Sequence, residues 1–230
     1  MNALFLIIFV STLAISFLAS WRVKRTYLRY SKVPASSGLS GAEVAARILQ
    51  RAGITDVQIA ERDEMLGDHY DPLHKRLVLS TQNYHGTSCA ALGVSAHECG
   101  HAIQHQIAYA PLTWRMAAVG ATNYASQAVM WLPLIGMFTG LISPYTGGVI
   151  MAVAWGIIMT FNLITLPVEF DASRRATAIL GDMGYIGTGD EMSAVRKVLN
   201  AAGWTYVAAF VTSLVYFLLH LLPLIMGRRE

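Results

Sequence analysis

Residues 3–21 read ALFLIIFVSTLAISFLASW, nineteen positions without a charge. A helix rises about 1.5 Å per residue, so roughly 20 apolar residues cross the roughly 30 Å hydrocarbon core of a bilayer. The run is followed at once by Arg22, Lys24, Arg25, Arg29 and Lys32. A cleaved export signal carries its positive charge before the apolar stretch, and Met1-Asn2 offers none beyond the amino terminus. The stretch therefore reads as a retained anchor. Its basic C-terminal flank belongs in the cytoplasm and leaves the N-terminus outside.

The rest of the chain agrees with a membrane protein. Of its 230 residues, 54% are hydrophobic and only 13% charged, about half the charge of a soluble domain. The mean hydropathy is +0.45. These values exclude a disordered chain and argue against a purely soluble globule. A net charge of +3 is too small to argue for nucleic acid, so the lipid bilayer is the expected partner. Two cysteines exclude a disulfide-rich secreted scaffold.

A second apolar zone runs from Met116 to Leu166, too long for one crossing. Ser143-Pro144-Tyr145-Thr146-Gly147-Gly148 interrupts it, which predicts a hairpin, 120–142 out and 147–166 back. Gly136 and Gly140 form a small-xxx-small pair that would let helices approach closely. A third zone, Trp204 to Met226, ends in Arg228-Arg229. A fourth full crossing would put those arginines outside, against the positive-inside tendency, so three or four crossings are expected. The chain divides into an anchor (1–21), a cytoplasmic part (22–115), a membrane hairpin (116–166), cytoplasmic helices (167–203) and a last membrane helix (204–230).

In the polar parts, Ser40-Gly41-Ala42-Glu43 is a capping box that opens a helix through Arg51. Residues 57–60 and 76–80 read as strands, and Gly67 to Pro72 as a turn-rich segment between them. A long helix is expected from Ser88 to Tyr109, stopping before Pro111. Pro167 suits the first turn of a helix through Leu180. Thr188 to Glu191 reads as a second capping box, opening a helix to Ala202. Residues 76–80 could offer an edge to an extended substrate, with ordinary internal pairing the equal alternative.

The long helix contains His97-Glu98-Cys99-Gly100-His101, the pattern H-E-x-x-H. At 3.6 residues per turn the two histidines stack on one face and can reach a single metal ion. Glu98 lies beside them and suits a general base acting on a metal-bound water. The competing reading is a pair of structural histidines. A third ligand is required. His105 continues the spacing, but it lies about 12 Å from His97 along the axis, and zinc–nitrogen bonds are about 2 Å. Glu169 is the better candidate, because a carboxylate at the end of an apolar helix is costly unless paired or bound to metal. A His-His-Glu set leaves one position open, as catalytic zinc sites require. Asp171 and Arg174 are candidates to orient the ligands by hydrogen bonds. Cys89 and Cys99 are too far apart for a disulfide and read as reduced thiols.

Gly67-Asp68-His69-Tyr70-Asp71-Pro72, the stretch from Ala90 to Gln104 and the stretch from Leu166 to Ala176 resemble the YugP-type bacterial membrane zinc metallopeptidases. The resemblance covers nearly the whole chain. The layout is also similar to HtpX-type and CAAX-prenyl-protease-type gluzincins, which separate H-E-x-x-H from the third-ligand Glu by membrane helices. There an Asp commonly follows the Glu by four residues; here that position is Ser173. The resemblance implies a mainly α membrane protein of three or four transmembrane helices carrying a small α+β zincin-like cytoplasmic domain. It implies Zn2+ held by His97, His101 and Glu169, and Glu98 as the catalytic base. Protein or peptide substrates would be cleaved at the cytoplasmic surface of the cell membrane. His69, Tyr70 and Tyr84 are candidate oxyanion donors. The alternatives are an intramembrane protease and a zinc-stabilised membrane adaptor or chaperone without turnover.

Overall fold

The computed structural model describes residues 3–227, so Met1-Asn2 and Arg228-Arg229, used above to argue orientation, lie outside the described residues. The elements in chain order are α1 (Ala3–Tyr30), α2 (Gly41–Arg51), β1 (Gln58–Arg62), β2 (His69–Asp71), β3 (Arg76–Ser80), α3 (Thr81–Tyr84), α4 (Cys89–Gln106), α5 (Ala110–Thr139), α6 (Pro144–Asp182) and α7 (Asp190–Met226). The fold is mainly helical with one small sheet, as the sequence implied. Three helices, Phe5–Tyr30, Pro144–Asp182 and Asp190–Met226, are long and apolar enough to cross a membrane. The chain separates into two units. One holds residues up to Phe17, Thr113–Leu166 and residues from Tyr206 onward; the other holds Leu18–Leu112 and Pro167–Thr205.

In the second, polar unit the sheet order is β1-β3-β2. β1 runs parallel to β3, with Ile59 opposite Leu77, and β2 runs antiparallel to it, with Tyr70 opposite Leu77. β3 is therefore the central strand, paired internally along β1 over its whole length and along β2 over Arg76 to Val78. Leu77 and Leu79 of β3 are fully buried. The short β2 falls inside the segment expected to be only turn. Asp68 just before it accepts from the Ser80 backbone N–H at 2.7 Å and from Asn83 Nδ2 at 2.9 Å, which holds the strand in place. Tyr27 of α1, also buried, donates its hydroxyl to Asn83 Oδ1 at 2.8 Å.

Helix α2 opens with the expected capping box. The Ser40 N–H donates to Glu43 Oε2 at 2.8 Å, and the Glu43 N–H to Ser40 Oγ at 3.3 Å. Its apolar face, Val44, Ala45, Ile48 and Leu49, packs into one core with Leu92, Ala96 and Cys99 of α4 and with Leu180, Val195 and Leu199. The second capping box does not form. The Glu191 carboxylate instead accepts from Gly187 N–H at 2.7 Å and from the backbone N–H and hydroxyl of Ser36. It ties the start of α7 to the segment after α1 rather than closing on its own helix.

Two helix boundaries differ from expectation. Pro167 lies inside α6, not at the start of a new helix. Its missing N–H removes one ladder bond, and the flanking residues carry the helix through. Likewise α7 runs unbroken through Gly203. A Cβ there would meet the Phe170 ring at 3.1 Å, so glycine is kept by packing between helices, not by a turn.

In the apolar unit, Trp155 and Tyr216 stack at 4.6 Å, and Tyr216 shares a 3.3 Å hydrogen bond with Thr12. Asn162 Nδ2 donates to Ser213 Oγ at 3.0 Å. The Gly136/Gly140 pair is not a packing seam. Among the described residues, a Cβ at Gly136 would touch only Ile142 at 3.8 Å, and Gly140 sits in the left-handed region (φ 63°) just past the end of α5. The hairpin turn is thus Gly140 to Ser143. Pro144, expected to break the chain, opens α6, the position where a proline costs no hydrogen bond. Ser143 Oγ accepts from Thr146 N–H at 3.1 Å to cap it.

Candidate metal centre

Helix α4 is capped at its start by Ser88, whose hydroxyl accepts from Ala91 N–H at 3.2 Å. Its C-cap is Ile107, followed by Ala108 in the left-handed region (φ 50°). Along it, His97 and His101 bring their rings together edge to face, with centroids 4.8 Å apart. Helix α6 supplies Glu169, which is 2% exposed. Its Oε2 lies 3.3 Å from His97 Nε2 and 3.6 Å from His101 Nε2. One ligand atom from each of the three residues lies within 4.8 Å of the others.

This proximity depends on Gly100. A Cβ there would come within 2.8 Å of the Ala172 carbonyl oxygen and 3.1 Å of Ala172 Cα. The backbones of α4 and α6 therefore touch where the motif needs them closest. The H-E-x-x-H pattern leaves this position unspecified.

The donor set fits zinc. Tetrahedral bonds of about 2.0–2.2 Å imply donor–donor edges of about 3.4 Å, against the 3.3 and 3.6 Å found here. The ring nitrogens turned away from Glu169 are also occupied. Gln104 commits its Nε2 to Val168 O at 2.8 Å and Asp171 Oδ2 at 2.9 Å, so its Oε1, 2.9 Å away, accepts from His101 Nδ1–H. That tautomer leaves a lone pair on His101 Nε2, the form a metal ligand needs. His97 Nδ1 is 3.2 Å from Ser173 Oγ. Ser173 follows Glu169 by four residues, one helical turn along α6.

Electrostatics are severe in this group. Burial lowers the His101 imidazole, but the Glu169 and Glu98 carboxylates outweigh it and hold it above its ordinary value. A proton and a metal ion compete for the same nitrogen. Glu98 is itself 7% exposed. Burial pushes its carboxyl above the usual carboxylate range, against the pull of the His97 and His101 rings.

Of the two orienting candidates, Asp171 reaches the centre through Gln104. Arg174 bonds to Asp171 Oδ1 but leaves its side chain 77% exposed. Arg175, which the sequence reading passed over, donates Nε to Asp171 Oδ2 at 2.6 Å and is the more buried partner. Gln104 was missed too; its only signal was its place three residues after His101, one turn along the same face. His105 bonds to the Tyr70 hydroxyl at 2.9 Å through Nδ1. His69 donates Nδ1–H to Gly67 O at 2.8 Å, and Tyr84 packs against the His85 ring at 4.9 Å. Cys99 points into the core toward Ala45 O, and burial pushes its thiol up. Both cysteines are free and buried.

No solved structure matches the chain. The chain is 42% identical over 227 residues to the "Putative membrane protease YugP" of Bacillus subtilis (strain 168), covering 99% of each protein. Residues 5–226 match the family described as "Putative neutral zinc metallopeptidase". With that span and that identity, the chain belongs to this zinc metallopeptidase family.

Proposed function

We propose that the chain is a membrane-integrated, zinc-dependent endopeptidase that hydrolyses peptide bonds of membrane or unfolded proteins at the cytoplasmic membrane surface. One observation carries this reading: two imidazole nitrogens and a buried carboxylate oxygen converge, and a second buried carboxyl, Glu98, is close enough to feel the charges of all three. His97 Nε2, His101 Nε2 and Glu169 are the groups that would hold the ion. When bound there, zinc supplies Lewis acidity toward a water and toward a peptide carbonyl.

The remaining work falls to the chain's own side chains. Glu98 takes a proton from the attacking water and returns it to the leaving amine. Its burial makes it a stronger base than an exposed carboxylate. Gln104 and Ser173 fix the two imidazole rings, and Asp171 fixes Gln104. Glu169 comes three positions after Leu166, the last residue of the apolar stretch of α6 assigned to the other unit, which supports substrates delivered from the lipid surface.

The test compares wild type with Glu98→Gln at equal zinc content and equal helicity, using an unfolded membrane-protein substrate in detergent. Cleavage should fall by about a hundredfold to ten-thousandfold. Equal cleavage by both proteins overturns the mechanism, and zinc binding without cleavage by either would leave an adaptor role.

A further inference from the structure

The basic residues after the first apolar run do more than set orientation. Arg22, Arg25 and Arg29 follow i, i+3, i+7 spacing on α1, so they share one helix face. Tyr27, on roughly the opposite face, is 3% exposed and bonded to Asn83. The buried side of the helix is thereby fixed, and the three arginines are exposed. The first acidic residue in the sequence is Glu43. Among the described residues, none of Arg22, Lys24, Arg25, Arg29 and Lys32 forms an ion pair.

The local contacts of these residues are aromatic instead. Arg25 lies 5.0 Å over the ring of Trp21, which is 50% exposed. Arg29 lies 5.5 Å over Tyr30, whose ring also carries Lys197 of α7 at 5.8 Å. An exposed tryptophan at the end of an apolar run is the residue that settles at the headgroup level of a bilayer. The arginine strip begins at the next residue and extends about 10 Å along the axis.

We propose that Arg22, Arg25 and Arg29 form a docking strip for the anionic headgroups of the bilayer that α1 enters, with a phosphate group as the ligand. Guanidinium forks match phosphate oxygens in pairs. Each basic residue near an anionic surface contributes about a fivefold preference, so three give roughly a hundredfold.

The experiment uses the full chain in detergent micelles doped with equal amounts of phosphatidylglycerol and phosphatidylcholine, with retained lipid read by native mass spectrometry and helicity by circular dichroism. Wild type should retain phosphatidylglycerol preferentially, and added salt should erode that preference. The triple change Arg22→Gln, Arg25→Gln, Arg29→Gln should remove most of it. Arg22→Lys, Arg25→Lys, Arg29→Lys should keep most of it. The control Arg51→Gln, Arg62→Gln, Arg76→Gln, with the same loss of charge elsewhere, should leave it intact. The proposal is overturned by a wild type with no preference or no salt dependence. It is also overturned by a strip variant that keeps the preference, or by a control that loses it equally, which would make net charge the cause. Proteolysis is not read, so the outcome is independent of the proposed activity.

Discussion

The two units solve opposite packing problems. In the polar unit, large apolar side chains such as Ile48, Leu77, Leu92 and Leu180 are hidden almost completely. In the apolar unit, Phe9, Leu13, Phe17, Trp131 and Phe138 lie 49–79% exposed along long helices. Exposure on that scale would drive aggregation in water. It is ordinary where lipid is the solvent, because lipid tails are as apolar as the side chains they meet. The same difference governs polar groups. The polar unit supports a capping box, the buried Asp171 carboxylate and the His97–His101–Glu169 group. The apolar unit mostly returns its hydroxyls to its own helix backbone, as Thr122, Thr160 and Thr165 do.

The sharpest way to break this comparison is to place one change on both sides of it. Leu13 is 59% exposed in the apolar unit and Leu73 is 85% exposed in the polar unit. Leu13→Asp should cost about 3–4 kcal/mol of membrane insertion, read as the fraction integrated into vesicles. Leu73→Asp should alter stability by less than about 0.5 kcal/mol. Similar penalties for the two would mean that both leucines face the same solvent.

The next effect sharpens the polar side alone. Gln104→Leu removes the acceptor for His101 Nδ1–H and one of the three donors to Asp171. Metal affinity should drop about 10- to 100-fold in a competition titration with a chelator. An unchanged affinity would mean that Gln104 packs but does not orient. A smaller effect than that belongs to Ser40→Ala, which deletes the side-chain half of the α2 capping box. It should cost about 1 kcal/mol in urea unfolding of the polar unit and leave insertion of the apolar helices unchanged.

Much of this layout could be read from residue order. The charge-free run 3–21, the Ser40/Glu43 box and the 97–101 spacing are local signals, and local signals survive in the structure. The failures share a different cause. Pro167 and Gly203 look like boundaries when judged by their own propensities, yet both lie inside long helices whose continuity is set by neighbours. Glu191 had a plausible partner three residues away at Thr188 and took one 155 residues away at Ser36. Gln104 and Gly100 gain their importance only once α6 is laid against α4. The 76–80 strand could be recognised, but its central position depends on a three-residue partner too short to leave a pattern.

The Tyr27–Asn83–Asp68 chain of hydrogen bonds has a practical consequence. A water-soluble fragment begun at the first residue after α1 would lack the phenol that Asn83 accepts from. It would also open a hole where a 3% exposed ring had been. Any attempt to free the polar unit from the apolar run of α1 has to cut higher, keeping the helix from about Leu18 onward and accepting the greasy turn that comes with it.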